Sequence, residues 1–409
     1  MRIAHPDRVL KGRLSIAGSK SESNRLLMIG AYLGRELECQ GMSDSNDTVL
    51  LRKLFHQIDE ADANSVNVID CEDAGTVCRF LASYLAQREG TWLLTGADRL
   101  RQRPIAPLVD ALVQLGADIA YTQKEGQLPL LIKDVRLKPN DVEIDISQSS
   151  QFASSLLLML PTLGEELSVR LMGEPSSLPY LDMTIGMMVR FGVKVSREDN
   201  VIKVSPSGYA PSNYVVSPDW SSASYWLEAA ALSKDCHIVL SGFDENTLQG
   251  DSVAAEMFGR LGVRCQYVED GLEVTKSTVL EKEPVFDFIH NPDLFPAVAV
   301  TCAAICEKAV FKGVKNLRYK ESDRVEALIK ELGKMGAEYE VRTDSVIQKK
   351  GVDASKTHAF STHNDHRIAM SLSMLALRLP SVEILEPDVV KKSYPDFWMD
   401  MYKVGFQSL

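Results

Sequence analysis

Apolar and polar positions along the chain follow two periods in a fixed order. A stretch with apolar residues every three or four positions leads to a glycine, and the glycine leads to a short apolar run. The order recurs in "LVDALVQLGADIAY" around Gly116, "MTIGMMVRFGVKVS" around Gly192, "AAEMFGRLGVRCQY" around Gly262 and "LIKELGKMGAEYEV" around Gly336. The longer period predicts an amphipathic helix, and the run after the glycine predicts a strand. Each glycine suits the left-handed residue just past a helix C-terminus. The four glycines recur at roughly seventy-residue intervals, longer than a solenoid repeat and suited to a whole βαβ-type unit. Several copies of one α/β unit are therefore expected. "VVSPDWSS" near 215–222 breaks the pattern and reads as a crossing between two halves.

The stretch "LSIAGSKSESNRLLMIGAYL" shows the same change of period: Leu14 to Ala17 reads as a strand and Ser23 to Leu33 as a helix. The turn between them holds Lys20, Ser21 and Arg25. Two readings fit it. Backbone N–H groups and partial positive charge at a helix start attract phosphate or carboxylate, which the cations and hydroxyls would reinforce. Equally, Ser21 or Ser23 is an ordinary N-cap and Arg25 points to solvent. The spacing of Gly12, Gly18 and Lys20 does not make a P-loop.

Other helix starts repeat the choice. Gly75 and Thr76 open "GTVCRFLASYLA", with Arg79 one turn in, and Arg103 precedes Pro104 in "RQRPIAPLVDAL". Ser149, Ser150 and Gln151 head the apolar run "FASSLLLML". Asp293 stands before "LFPAVAV", as a cap or a buried acid. Lys320, Glu321, Asp323 and Arg324 crowd the start of "RVEALIKEL", Arg367 starts "RIAMSL", and Lys392 lies in "KKSYPDFW". Each has a plain structural reading as a cap, a surface arginine or a salt-bridged helix start. Together they suit a ligand with several anionic groups, beside which Asp293 and Glu321 could move protons.

Bulk properties narrow the field. A length of 409 residues makes two domains the starting expectation. A formal net charge of -11 argues against duplex nucleic acid or an anionic membrane as a partner, while leaving small anions open. No apolar run has the length of a membrane span, and "MRIAHPDRVLKG" lacks the apolar core of a signal peptide. The 7 cysteines form no CxxC and read as reduced, mostly buried thiols of a cytoplasmic protein, with Cys302 and Cys306 as core residues. His363 with His366 in "STHNDHR" is the one metal candidate; without a partner cluster, no metal is expected.

With these stretches assembled, the chain resembles the 5-enolpyruvylshikimate-3-phosphate synthase family. The matching pieces are "GSKSESNR", "DAGTVCR", "RPIAPLVDAL", "SQSSQF", "SSLPY", "PDWSSASYW", "NLRYKESDR", "NDHRIAM" and "KKSYPDF", in the family's order from about residue 18 to 397. The resemblance implies an α/β fold of two similar domains, each of three βαβαββ units around a pseudo-threefold axis, with the active site in the interdomain cleft. It implies a discontinuous domain of residues 1–18 plus 218–409 and an inserted domain of residues 19–217. It also implies transfer of the enolpyruvyl group of phosphoenolpyruvate to the 5-hydroxyl of shikimate 3-phosphate, and cleft closure on binding.

Carried over residue by residue, the family pattern puts Lys20 between both substrates. It puts Ser21, Arg25, Ser149, Ser150, Ser177, Tyr180, Asp293, Asn316 and Lys320 around shikimate 3-phosphate. Gly75, Arg103, Gln151, Glu321, Arg324, Arg367 and Lys392 fall around phosphoenolpyruvate, with His366 beside them. Lys20, Asp293 and Glu321 are the expected catalytic residues. A cytoplasmic monomer acting on small anionic substrates is expected, with no metal or organic cofactor, no nucleic acid and no membrane. Gly75 leaves room for glyphosate, which competes with phosphoenolpyruvate in this family. Asp73 and Phe80 depart from the family's usual Asn and Pro, and both flank the phosphoenolpyruvate loop, where they bear on affinity. Two rivals remain. One is a sister transferase acting on UDP-N-acetylglucosamine, which typically has Asn where Ser21 stands and a reactive loop cysteine. The other is a non-catalytic phosphometabolite-binding protein, which would need neither Asp293 nor Glu321.

Overall fold

Strand Val66–Asp70, helix Gly75–Leu85 and strand Thr91–Thr95 form a crossover whose two strands run parallel. Gln151–Met159 joins the parallel strands Val142–Asp145 and Leu167–Met172 in the same way. So do Phe295–Ile305 between Val285–Asp287 and Ala309–Lys312, and His366–Met374 between Ala359–Phe360 and Val382–Ile384. In a fifth case Val9–Leu14 pairs in parallel with Asp235–Ser241, the strand that follows helix Trp220–Leu232. The computed structural model describes residues 1–355 and 359–409.

Each parallel pair gains two antiparallel strands, and among the described residues all five sheets have the same order when strands are counted along their unit: first, second, fourth, third. In one sheet the fourth place is filled by Arg2–Ala4, lying between Val382–Ile384 and Gln407–Ser408, so both chain ends complete it. The repeat read from the glycines is thus a repeat of sheet topology. Gly116, Gly192, Gly262 and Gly336 have φ of +86°, +87°, +91° and +84°. That conformation is costly for any residue with a Cβ. Gly262 differs from the others in lying inside strand Leu261–Val268, at the register shift between Leu261 and Val263.

The consequence for function lies in where helices begin. In an α/β crossover the helix starts just beyond the carboxyl end of its first strand, where ligands of open sheets bind. Gly75, Gln151, Asp293 and His366 all lie at such turns.

The chain forms two compact units, Met1–Ser19 with Ser217–Leu409, and Lys20–Val216. Each has its own apolar core. The first unit contains three of the sheets and the second contains two. The segment Lys20–Asp59 of the second unit carries helices Lys20–Leu33 and Asn46–Asp59 but no regular strand; an isolated bridge pairs Gln40 with Val215.

Two sequence readings need correcting. The strand expected at Leu14 to Ala17 is Val9–Leu14. Its pairing with Asp235–Ser241 ends at Leu14, opposite Leu240. Beyond it the chain bonds to the crossing segment: Ala17 O accepts from Asp219 N at 3.1 Å, and Ser19 N donates to Ser217 O at 2.8 Å. The helix expected from Ser23 begins at Lys20, which places Lys20 and Ser21 in its first turn.

Helix Trp220–Leu232 is buried along its whole length, Glu228 included. Burial pushes the Glu228 carboxyl well above its ordinary range, with Ser371 offsetting this in part. A carboxyl raised in the folded state stabilises fully below its unfolded value of about 4.3, and that stability is lost as pH rises through the folded value. Glu228→Gln is therefore expected to gain in Tm over the wild type as pH rises from about 5 to 8. Thermal melts across that range test it; a difference that does not vary with pH would show that Glu228 does not titrate on unfolding.

Candidate active site

In the unit Lys20–Val216, Lys20 Nζ donates to Asp47 Oδ2 at 3.1 Å. One turn on, Arg25 is 2 % exposed, which removes the solvent-pointing reading. Its Nε donates to Thr184 Oγ1 at 2.7 Å, Nη1 to Ser21 O at 2.8 Å and Nη2 to Tyr180 O at 2.9 Å. Burial pushes its pKa down to about 10, partly offset by Tyr180 and Glu22, so it stays cationic at neutral pH. The guanidinium lies 5.5 Å from the centroid of the buried Phe80 ring. The departure at Phe80, expected to bear on the phosphoenolpyruvate loop, thus supports Arg25. Asp73, the other departure, is exposed.

Neither Ser21 nor Ser23 caps the helix. Ser23 Oγ accepts from Ser43 N at 2.9 Å and so ties the loop before helix Asn46–Asp59, which carries Asp47. Ser177 has φ +55°, a left-handed conformation uncommon for a residue with a Cβ, at the start of helix Leu178–Arg190 that brings in Tyr180. Ser150 precedes helix Gln151–Met159, and its hydroxyl is buried with no hydrogen-bond partner among the described residues. Ser149 Oγ accepts from Gln151 N at 3.3 Å.

A second group in this unit surrounds Gly75. Arg79 Nη1 donates to Gln151 Oε1 at 2.8 Å, and Gln151 Nε2 donates to Thr76 Oγ1 at 3.0 Å. An added Cβ on Gly75 would lie 2.5 Å from Arg103 Nη1 and 2.9 Å from Arg79 Nη1. Glycine here lets two buried guanidinium groups approach a helix start.

In the other unit, Arg324 is 1 % exposed and meets three carboxylates. Nη1 donates to Asp293 Oδ1 at 2.8 Å, Nη2 to Glu321 Oε2 at 2.8 Å and Nε to Asp365 Oδ2 at 2.9 Å. Arg367 Nη2 donates to Asp293 Oδ2 at 2.7 Å, and its Nη1 to Tyr225 Oη at 3.3 Å. Asp293 is therefore held by two arginines and does not cap helix Phe295–Ile305. Burial pushes its carboxyl upward, but Arg367, Arg324 and Lys320 outweigh this and hold it well below the usual carboxylate range. Burial likewise works against the Arg324 charge, and Asp365, Glu321 and Asp293 outweigh it.

Helix starts fix these groups. Asp323 caps Arg324–Gly333 by accepting from Glu326 N at 3.0 Å, and Asp365 caps His366–Met374 by accepting from Arg367 N at 3.0 Å. The loop before Asp365 holds His363 and Asn364 in left-handed conformations and is tied by Glu331, which accepts from Ser361 N and pairs with His363 Nε2 at 2.9 Å. His366 lies beside Asp365 and is buried, as is Lys392. Asn316 and Lys320 belong to the turn segment just before Glu321. Among the described residues, no three His, Cys, Asp or Glu side chains are placed to hold a metal ion, and no helix is long and apolar enough to cross a membrane.

The structure thus gathers Asp293, Glu321, Arg324 and Arg367 into one network, gathers Gly75, Arg103 and Gln151 with Arg79 into another, and places Lys20, Ser21, Arg25 and Tyr180 around one helix start. Sequence reasoning missed Asp47, Thr184, Tyr225 and Asp365. Their one signal is position: Asp47 and Asp365 lie at or beside helix starts that follow polar turns.

This architecture is shared with solved enolpyruvyl transferases. The EPSP synthase from Acinetobacter baumannii superposes with a TM-score of 0.78 at 24% identity, covering 99% of each chain. The enolpyruvyl transferase NikO from Streptomyces tendae gives 0.75 at 16%, covering 99% of this chain and 97% of that one. Residues 4–401 match the family model for EPSP synthase (3-phosphoshikimate 1-carboxyvinyltransferase). The 3-phosphoshikimate 1-carboxyvinyltransferase of Bacteroides fragilis (strain YCH46) is 38% identical over 400 residues, 97% of this chain and 96% of that one. That of Histophilus somni (strain 2336) is 35% identical over 423 residues, 97% of each. The chain belongs to the EPSP synthase family.

Proposed function

We propose that this chain transfers the enolpyruvyl group of phosphoenolpyruvate to the 5-hydroxyl of shikimate 3-phosphate, by addition and then elimination through a tetrahedral intermediate. The products are 5-enolpyruvylshikimate 3-phosphate and phosphate. The observation that supports the residue roles best is the buried network in which Arg324 and Arg367 bracket Asp293, with Glu321 on the same Arg324.

In the addition step the 5-oxygen bonds to C2 of phosphoenolpyruvate while Asp293 takes its proton. Glu321, acting with Lys20, delivers a proton to C3. In the elimination a C3 proton returns to the protein and the bond from C2 to the phosphate oxygen breaks. Asp293 held by two guanidinium groups is anionic but a weak base. The phosphate and carboxylate of phosphoenolpyruvate compete for Arg324 and Arg367. As these turn to the ligand, Asp293 loses its stabilising partners and becomes a stronger base when the substrate is in place. The same cations then stabilise charge that builds in the intermediate.

Ser21, Arg25, Ser149, Ser150, Ser177, Tyr180, Asn316 and Lys320 are assigned to shikimate 3-phosphate. Gly75, Arg103, Gln151 and Lys392 are assigned to phosphoenolpyruvate, with Lys20 serving both. Beyond the C–O bonds made and broken on the substrates themselves, the steps are proton transfers and charge stabilisation that side chains can perform, so the reading includes no metal or organic cofactor. It also takes the protein to be a cytoplasmic monomer, inhibited by glyphosate in competition with phosphoenolpyruvate.

Phosphate release from phosphoenolpyruvate by the purified protein tests the reading. Release should depend on shikimate 3-phosphate; release only with UDP-N-acetylglucosamine would overturn the acceptor, and binding of both ligands without release would favour a binding protein. Gly75→Ala is a finer test. Its methyl group displaces Arg103 and Arg79, and KM for phosphoenolpyruvate should rise about tenfold or more, near 1.4 kcal/mol, with a smaller change for shikimate 3-phosphate. Steady-state kinetics with each substrate varied would show it, and an unchanged KM for phosphoenolpyruvate would remove Gly75 from that site.

A further inference from the structure

The segment without a regular sheet has left a cavity. Elsewhere each crossover helix belongs to a unit with a four-stranded sheet. Helices Lys20–Leu33 and Asn46–Asp59 have instead the irregular stretch 34–42 against them, and a cavity of about 430 Å³ opens there. That volume is within the range of small-molecule sites, roughly 300–1,000 Å³. None of the residues assigned above to the substrates lines it.

Its chemistry is mixed in a way that defines a ligand. Leu27, Ala31, Leu37 and Met42 give an apolar lining, and Phe55 and Tyr84 form an aromatic wall, edge to face at 5.3 Å between centroids. Such a wall accommodates a flat ring. The charged lining groups are Arg35, Arg52 and Arg88 against Glu36 and Asp59. Arg88 is already paired with Asp59 at 2.9 Å. The Arg52 side chain is half-exposed; its Nε stands 3.9 Å from Glu36 Oε1 and makes no hydrogen bond among the described residues. A half-exposed guanidinium whose one charged neighbour is a distant carboxylate leaves its outer N–H groups to hold a planar carboxylate beside the aromatic wall.

We propose that this cavity is a second ligand site, for a small aromatic carboxylate whose ring lies against Phe55 and Tyr84 and whose carboxylate is held by Arg52. Cys39 also lines the cavity and is half-buried, so it reports occupancy. Cys265, the other half-buried thiol, belongs to the other unit and serves as an internal reference.

The probe is 2-naphthoate, titrated by calorimetry into the full-length protein with phosphoenolpyruvate and shikimate 3-phosphate both present. One-to-one binding should persist under those conditions, and alkylation of Cys39, read by mass spectrometry, should slow while that of Cys265 does not. Arg52→Gln should weaken binding about tenfold or more, since a charge-assisted bond is lost. Ala31→Phe should abolish it by filling the cavity, and 2-naphthylmethanol, which lacks the carboxylate, should bind no better to the wild type than to Arg52→Gln. Both variants should keep wild-type melting and turnover, which separates loss of the site from loss of the fold. Displacement of 2-naphthoate by the two substrates, unprotected Cys39 at millimolar probe, or wild-type affinity in Arg52→Gln would overturn the proposal. So would Cys39 protection that depends on protein concentration instead of probe, which would mark the face as a contact between copies.

Discussion

Glu321→Gln and Asp293→Asn should each lower kcat by roughly 10²-fold or more, the usual contribution of a positioned acid or base. Both substitutions preserve shape. Asn at 293 keeps an amide oxygen for one of Arg324 and Arg367 and turns its NH2 toward the other, and the amide cannot take a proton from the 5-hydroxyl. Gln at 321 keeps one oxygen toward Arg324 Nη2, the contact now made at 2.8 Å, but cannot exchange a proton with C3. The loss should therefore fall on kcat, with dissociation constants for shikimate 3-phosphate, measured by calorimetry, within a few-fold of wild type. A pH profile separates the two roles. If ligand binding frees Asp293 from its arginines, the acidic limb of kcat should lie at higher pH than the acid unfolding that Asp293 governs in the free protein. Turnover near wild type in either variant would remove that residue from the chemistry.

Much of the fold was legible because its repeat is marked by glycines with a physical requirement. Gly116, Gly192 and Gly336 end helices in a conformation that a Cβ penalises, so they stay visible whatever surrounds them. The basic candidates were legible for a similar reason: cations and hydroxyls clustered at predicted helix starts are uncommon enough to notice. The acidic partners were not. Asp365 is 41 residues from Arg324, and Thr184 is 159 from Arg25; nothing in either neighbourhood signals the pairing. The strand at Leu14 to Ala17 failed because its end is set by a distant partner, Asp235–Ser241, which no local period reveals. Phe80 shows the converse. As a departure from a family pattern it pointed to the neighbouring loop, and only packing shows it beneath Arg25. The missing strands before Asn46 were equally invisible, since a segment that omits a sheet leaves no residue behind to mark it.

Replacing Arg324 should have the largest effect on stability. Its side chain is 1 % exposed and is shared by Asp293, Glu321 and Asp365, of which Asp365 is fully buried. Removing one partner of a buried ionic group costs about 3–5 kcal/mol, because the charges left behind stay desolvated. Arg324→Met is thus expected to lose about that much, and Arg324→Lys less, since an ammonium keeps the charge but cannot present a planar fork to three carboxylates. The pH dependence has a definite sign. Asp293 is held below its unfolded value, so its contribution is present above about pH 4 and disappears as pH falls through the folded value. In the methionine variant the carboxylates gain by taking up protons, so the gap to wild type should narrow as pH drops from 7 toward 4. Denaturant unfolding at the two pH values measures this directly. Turnover should fall with stability but not because of it: in Arg324→Lys, assayed where the protein is fully folded, kcat/KM for phosphoenolpyruvate should still drop by about 10²-fold, since the lysine cannot follow the substrate as the arginine does. A methionine variant as stable as wild type at pH 7 would show that the three carboxylates find other partners, and the network would then be a consequence of the fold and not one of its supports.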